Sequence, residues 1–102
     1  MKPVTKENLL EAIQKVEDQD KLLRTVYIGS RDCRCVIGHL MTKEELLHIV
    51  NTNLQNRKVE LLDLDLPDGH IEILSNIQRL NDQSKDLEEF IQKAKDYVES
   101  CL

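Results

Sequence analysis

Cys33-Arg34-Cys35-Val36-Ile37-Gly38-His39-Leu40-Met41 is the densest apolar run of the chain. It holds two of the three cysteines, one of the three histidines and one of the three glycines. Cys35, Val36, Ile37, Leu40 and Met41 leave it almost no polar side, the pattern of an element with others packed all round it. Gly38 stands in the middle, where Gly costs roughly 1 kcal/mol against Ala in a helix. A glycine there points to a close backbone approach. The stretch reads as a short buried helix, crossed by a neighbouring helix at Gly38. A short strand is the alternative, because Cys, Val and Ile favour extended backbone.

Working outward, 102 residues suit one helical domain spanning 1–102. The core must be built from Leu, Ile and Val, since Trp is absent and Tyr27, Phe90 and Tyr97 are the only aromatics. Two prolines and three glycines leave little turn chemistry for an all-β fold. No apolar run approaches the roughly 20 residues of a membrane span, and no signal peptide is visible, so a cytoplasmic protein is expected. An odd number of cysteines does not suggest a disulfide framework. The net charge of −5 argues against direct nucleic-acid binding, which needs basic residues to displace counterions. Charge is uneven: residues 1–59 carry a balance of +2 and residues 60–102 one of −7.

On the N-terminal side, Thr5 has the character of a helix cap, with Val4 and Leu9 placed as a hydrophobic staple. The helix runs to Glu17 or Asp18 with Leu9, Leu10, Ile13 and Val16 on its buried stripe. Asp20 is placed to cap a second, short helix through Leu22, Leu23 and Val26, and Gly29–Asp32 reads as a turn. On the C-terminal side, Thr42-Lys43-Glu44-Glu45 is a capping box. The helix it opens carries Leu46, Leu47, Ile49 and Val50. Residues 57–69 read as a loop with Leu62, Leu64 and Leu66 tucked under it. Asp68-Gly69 then serves as turn and cap for a helix with Ile71, Leu74, Ile77 and Leu80, which stops near Asn81-Asp82. Ser84 caps the last helix, whose stripe is Leu87, Phe90, Ile91, Ala94, Val98 and Cys101. The expected fold is all-α: a small bundle of four main helices plus one or two short helices.

Cys35-Val36-Ile37-Gly38-His39-Leu40, with Glu44 four residues on, resembles a signature of small uncharacterised bacterial and phage proteins. Theirs reads Cys-Ala-Ile-Gly-x-Leu-Ile-Pro-Asp-Glu, followed later by Leu-x-x-Leu-Gln-x-x-His-Asp. The later block is similar to Leu74-Ser75-Asn76-Ile77-Gln78-Arg79-Leu80-Asn81-Asp82 here, and the likeness covers about half the chain. Thr42-Lys43 stands where Pro-Asp is usual, and Asn81 where His is usual. The resemblance implies a small, mostly helical protein encoded by a phage or mobile element, and it brings no activity with it.

Three residues have metal-ligand chemistry at short spacing: Cys33, Cys35 and His39, with His48 or Cys101 as a fourth. Cys35 and His39, at i and i+4, share a face of a helix, whereas Cys33 and Cys35 do not. Cys33, between Arg31 and Arg34, also has the surroundings of an activated thiol. Against this, Cys35 is an ordinary small core residue. Glu44, Glu45, Glu88 and Glu89 are explained by helix starts, and no phosphate-binding glycine loop is present.

The expectation is therefore a non-enzymatic, cofactor-free, acidic interaction module, acting on another protein with a basic surface and, on the phage resemblance, inhibiting a host protein. Asp63, Asp65, Asp68, Asp86, Glu88 and Glu89 are its expected contact residues. The alternatives are a metal- or thiol-dependent protein using Cys33, Cys35 and His39, and a self-associating homodimer completed through Leu62, Leu64 and Leu66.

Overall fold

The computed structural model describes all 102 residues as an all-α fold without strands. Four main helices and one short one follow in chain order: α1 (Lys6–Asp18), α2 (Val36–Leu40), α3 (Lys43–Asn51), α4 (Asp68–Gln83) and α5 (Leu87–Cys101). Two 3-10 turns, Ser30–Asp32 and Val59–Leu61, punctuate the irregular stretches between them. No helix is long and apolar enough to cross a membrane.

Local chemistry accounts for most helix ends. Thr5 accepts from the Asn8 N–H and starts α1, with Val4 and Leu9 both buried as the staple requires. Thr42 and Glu45 complete the capping box of α3, with Glu45 N donating to Thr42 Oγ1 and Thr42 N to Glu45 Oε1. Two cap assignments differ from expectation. Asp68 is the first residue of α4, behind an N-cap at Pro67 whose ring makes no capping hydrogen bond. Ser84 closes α4 instead of opening α5: it is buried, and its hydroxyl donates back to Leu80 O at 2.6 Å. Asp86 then caps α5 by accepting from Glu89 N at 2.9 Å.

The core draws on all five helices: Leu9, Ile13 and Val16 of α1, Val36, Ile37 and Leu40 of α2, Leu46 and Ile49 of α3, Leu74 and Ile77 of α4, and Phe90, Ala94 and Val98 of α5. α1 packs against α2 and α5, and α4 against α5 and α2. Leu47 and Val50 point away from this core and are exposed, because they lie on the flank of α3 beyond Leu46. Cys101, the last residue of α5, is also exposed and does not join the buried stripe of Phe90, Ile91, Ala94 and Val98.

Residues 20–35 hold no α-helix, contrary to the expectation for Leu22–Val26. Asp20 and Thr25 take positive φ angles of 54° and 65°, which no helix admits. Instead, Tyr27–Cys35 doubles back as a tight loop closed by a single antiparallel bridge between Ile28 and Arg34. Gly38 does mark a close backbone approach, but the neighbour is this loop and not a helix. A Cβ on Gly38 would overlap the Tyr27 carbonyl oxygen. That oxygen also accepts from Cys35 N at 3.2 Å, so the loop is pinned at the start of α2.

Without a sheet, the irregular backbone needs other hydrogen-bond partners, and glutamine amides supply them. Gln19 accepts from Arg34 N and donates to Arg34 O. Gln55 accepts from Tyr27 N and Ile28 N and donates to Ile28 O. Gln78 accepts from Val59 N and donates to the Tyr27 hydroxyl. Arg24 serves the same purpose at the end of α4, donating to Asn81 O, Asp82 O and Ser84 O. Gln55→Ala therefore leaves three backbone groups without partners and is expected to cost about 2 kcal/mol of unfolding free energy in urea. Gln14→Ala, on the exposed face of α1, should change it by less than about 0.5 kcal/mol.

Candidate functional sites

Cys33, Cys35 and His39 are not gathered into a ligand set: no group of three or more His, Cys, Asp or Glu converges anywhere in the structure. Each has a different local task. Cys35 is the N-cap of α2, its Sγ accepting from Gly38 N at 3.4 Å, and burial pushes its thiol up to about 11. It is a neutral, inward-facing thiol, the opposite of a metal-ready thiolate. His39 meets Gln19 Oε1 at 2.9 Å through Nε2. Burial first, then the neighbouring Arg34, lowers its pKa to about 4. The imidazole is thus neutral near pH 7, with Nε2–H donating to Gln19. Cys33 is half-buried behind the 3-10 turn, and Cys101 lies at the far end of α5.

The six carboxylates expected to form a contact face do not share one depression. Asp86, Glu88 and Glu89 border a shallow polar hollow with Glu17, Lys93 and Lys95. Most of its charge is answered from within. Glu89 pairs with Lys93 at 2.7 Å and accepts from Lys85 N, which holds its carboxyl below the usual range, and Lys95 faces Glu17 at 3.7 Å. Asp63 lies elsewhere, and Asp65 and Asp68 border neither hollow.

Asp63 belongs to a groove of about 490 Å³ between α3 and residues 54–64. Met41, Ile49, Leu54, Leu62 and Leu64 supply its apolar surface, and Glu44, Glu45, His48 and Asp63 its polar one. Leu61 stands in the same groove with 61 % of its surface exposed. Glu45 is occupied by its cap and by the Met1 amine at 3.0 Å. Glu44 and Asp63 take part in no ion pair.

A second, smaller cavity of about 150 Å³ lies beneath the Tyr27 loop, between α2, α4 and α5. Val36, Ile37, Ile77 and Phe90 form its buried apolar part, and Thr25, Asn56, Arg57, Lys58 and Asp82 surround its opening. The Tyr27 hydroxyl donates to Arg57 O at 2.6 Å and accepts from Gln78 Nε2 at 2.9 Å. Burial raises its pKa to about 12, so it stays protonated. Asn81 also lines this cavity and is only 6 % exposed. Its Nδ2 donates to Leu23 O at 2.8 Å, and its Oδ1 has no donor.

Sequence reasoning passed over this cavity. One signal was present: Asn81 is a polar residue seven places after Leu74 and four after Ile77, and so on the apolar stripe of α4. The partners that make the cavity, Gln55 and Tyr27, come from irregular segments, whose packing has no period to read.

No protein-family model matches the chain, and no match is found among curated proteins or solved structures.

The depressed pKa of His39 has a measurable consequence. An unfolded chain takes up a proton on His39 near pH 6.5, whereas the folded chain resists until about pH 4. The unfolded state then binds more protons, so the His39 contribution to stability is full above pH 6.5 and is lost as pH falls toward 4. His39→Gln should lose less stability than the parent chain between those two values. The difference between the two unfolding curves isolates this group from the carboxylates that titrate in the same range.

Proposed function

We propose that the chain is a small, non-catalytic interaction module whose groove between α3 and residues 54–64 receives a basic, amphipathic segment of a partner protein. The observation that carries this reading is the composition of the groove. Leu61 offers an apolar anchor to solvent, beside two carboxylates, Glu44 and Asp63, that no cation in the chain neutralises. An apolar side chain entering against Leu61 and Leu64 would gain burial. Lys or Arg one helical turn away could meet Glu44 and Asp63, adding steering and specificity. The chain's overall charge of −5 favours the same class of partner.

Only Asp63 of the six carboxylates expected from sequence falls in this groove, so the contact centres on Glu44, Leu61 and Asp63. The test compares capture from a cell lysate by the parent chain, by Leu61→Asp and by Glu44→Lys/Asp63→Lys, at low and high salt. The expected result is a stoichiometric partner with a basic segment, retained by the parent chain at low salt and lost with either variant. Retention unaffected by both variants would overturn the groove as the contact. A parent chain that elutes as a dimer, and as a monomer after Leu61→Asp, would assign the groove to a second copy instead.

A further inference from the structure

We propose that residues 21–24 form a strap, hinged at Asp20 and Thr25, that lifts from the C-terminal end of α4 while the helices stay packed. No strap residue belongs to the groove, so this gate and the groove stand or fall separately.

Little holds the strap down. None of the backbone N–H groups of residues 21–26 finds an acceptor in the protein. Segments with few internal hydrogen bonds and few buried contacts open far more readily than the whole domain unfolds. The glutamine amides that serve the other irregular backbone stop at its two ends: Gln19 Nε2 donates to Lys21 O, and Gln55 accepts from Tyr27 N. Leu23 is the strap's one buried side chain, 6 % exposed. It rests on Gly29 and stands apart from the continuous core, so its release leaves the contacts between helices intact.

Two tethers keep the strap closed. Asn81 Nδ2 donates to Leu23 O at 2.8 Å. Arg24 donates to Asn81 O, Asp82 O and Ser84 O, the carbonyls at the end of α4. Arg24 is an exposed residue, so water competes for these bonds.

Closure also carries two costs that opening removes. Asn81 Oδ1 is buried without a donor, and it regains water when Leu23 leaves. Asp20 and Thr25 hold φ at 54° and 65°. Positive φ strains such residues, above all the β-branched Thr25. The two flank the strap, where a change of backbone angle moves it as a unit. Thr25 and Val26 also border the recess beneath Tyr27, so the same movement widens the mouth of that recess toward Asn81. Closed, the strap seals Asn81; open, it shows the polar end of α4 to solvent.

Thiol labelling by iodoacetamide tests the gate. The reporter is Leu23→Cys in a chain carrying Cys33→Ser and Cys101→Ser, and the buried Cys35 reports deeper unfolding in the same molecule. The introduced thiol should label more slowly than in a short peptide. Ile13→Val, a core change in α1 that lowers global stability, should leave that rate unchanged and speed labelling of Cys35. Arg24→Gln should raise labelling of the introduced thiol roughly tenfold. If the reporter chain folds poorly, tryptic cleavage after Arg24 in the unmodified chain reads the same opening, and its initial rate should be equally insensitive to Ile13→Val. Three outcomes would overturn the proposal: labelling as fast as in the peptide, labelling or cleavage that Ile13→Val accelerates as it does Cys35, or no effect of Arg24→Gln.

Discussion

The Tyr27 carbonyl oxygen occupies the space a side chain at position 38 would need. That one contact joins the Tyr27–Cys35 loop to the helix at the centre of the protein. Because Gly38 has no Cβ, α2 can settle directly on the loop, and Cys35 N can reach the same oxygen. Val36, Ile37 and Leu40 are then delivered into the space between α1 and α4, where each is almost fully buried. Moving α2 outward by the width of a methyl group would loosen those contacts together, since packed interiors do not absorb such a shift locally.

A bundle interrupted by two long irregular segments must satisfy their backbone some other way. Gln19, Gln55 and Gln78 do this with side-chain amides, each offering one donor and one acceptor as a neighbouring strand would. The arrangement has a consequence for function. Residues 54–64 are tied to the Tyr27 loop through Gln55 and to α4 through Gln78, and they form a wall of both the cavity and the groove. Both candidate sites therefore lie where an irregular segment borders the helices.

The helices were legible in the chain because their signals are local. Thr5 and the Thr42/Glu45 box act within one turn, and the stripes of α1, α4 and α5 repeat every three to four residues. The importance of Gly38 was legible too, as an apolar run with a glycine at its centre. What crosses it was not. A loop with Asp20, Thr25, Arg31 and Asp32 at positive φ is chosen by tertiary contacts that overrule the helical tendency of Leu22–Val26. The sites were less legible than the fold. Acidic residues were read as a face by their sequence density, yet Asp86 and Glu89 are spent on the start of α5, while Glu44 and Asp63 meet only through folding. Cys35 and His39 matched metal chemistry by type, and each is engaged with a backbone amide or a glutamine instead.

The contact at Gly38 is tested most directly by the sign of one substitution. On helix propensity alone, Gly38→Ala should stabilise α2 by up to about 1 kcal/mol. With the Tyr27 carbonyl in the way, the new methyl must displace the loop, and unfolding in urea should show a loss of about 2 kcal/mol or more. Gly69→Ala, at an open position in the first turn of α4, is the control and should be neutral or slightly stabilising. A Gly38→Ala protein as stable as its parent, or more so, would contradict the close crossing on which this account of the fold rests.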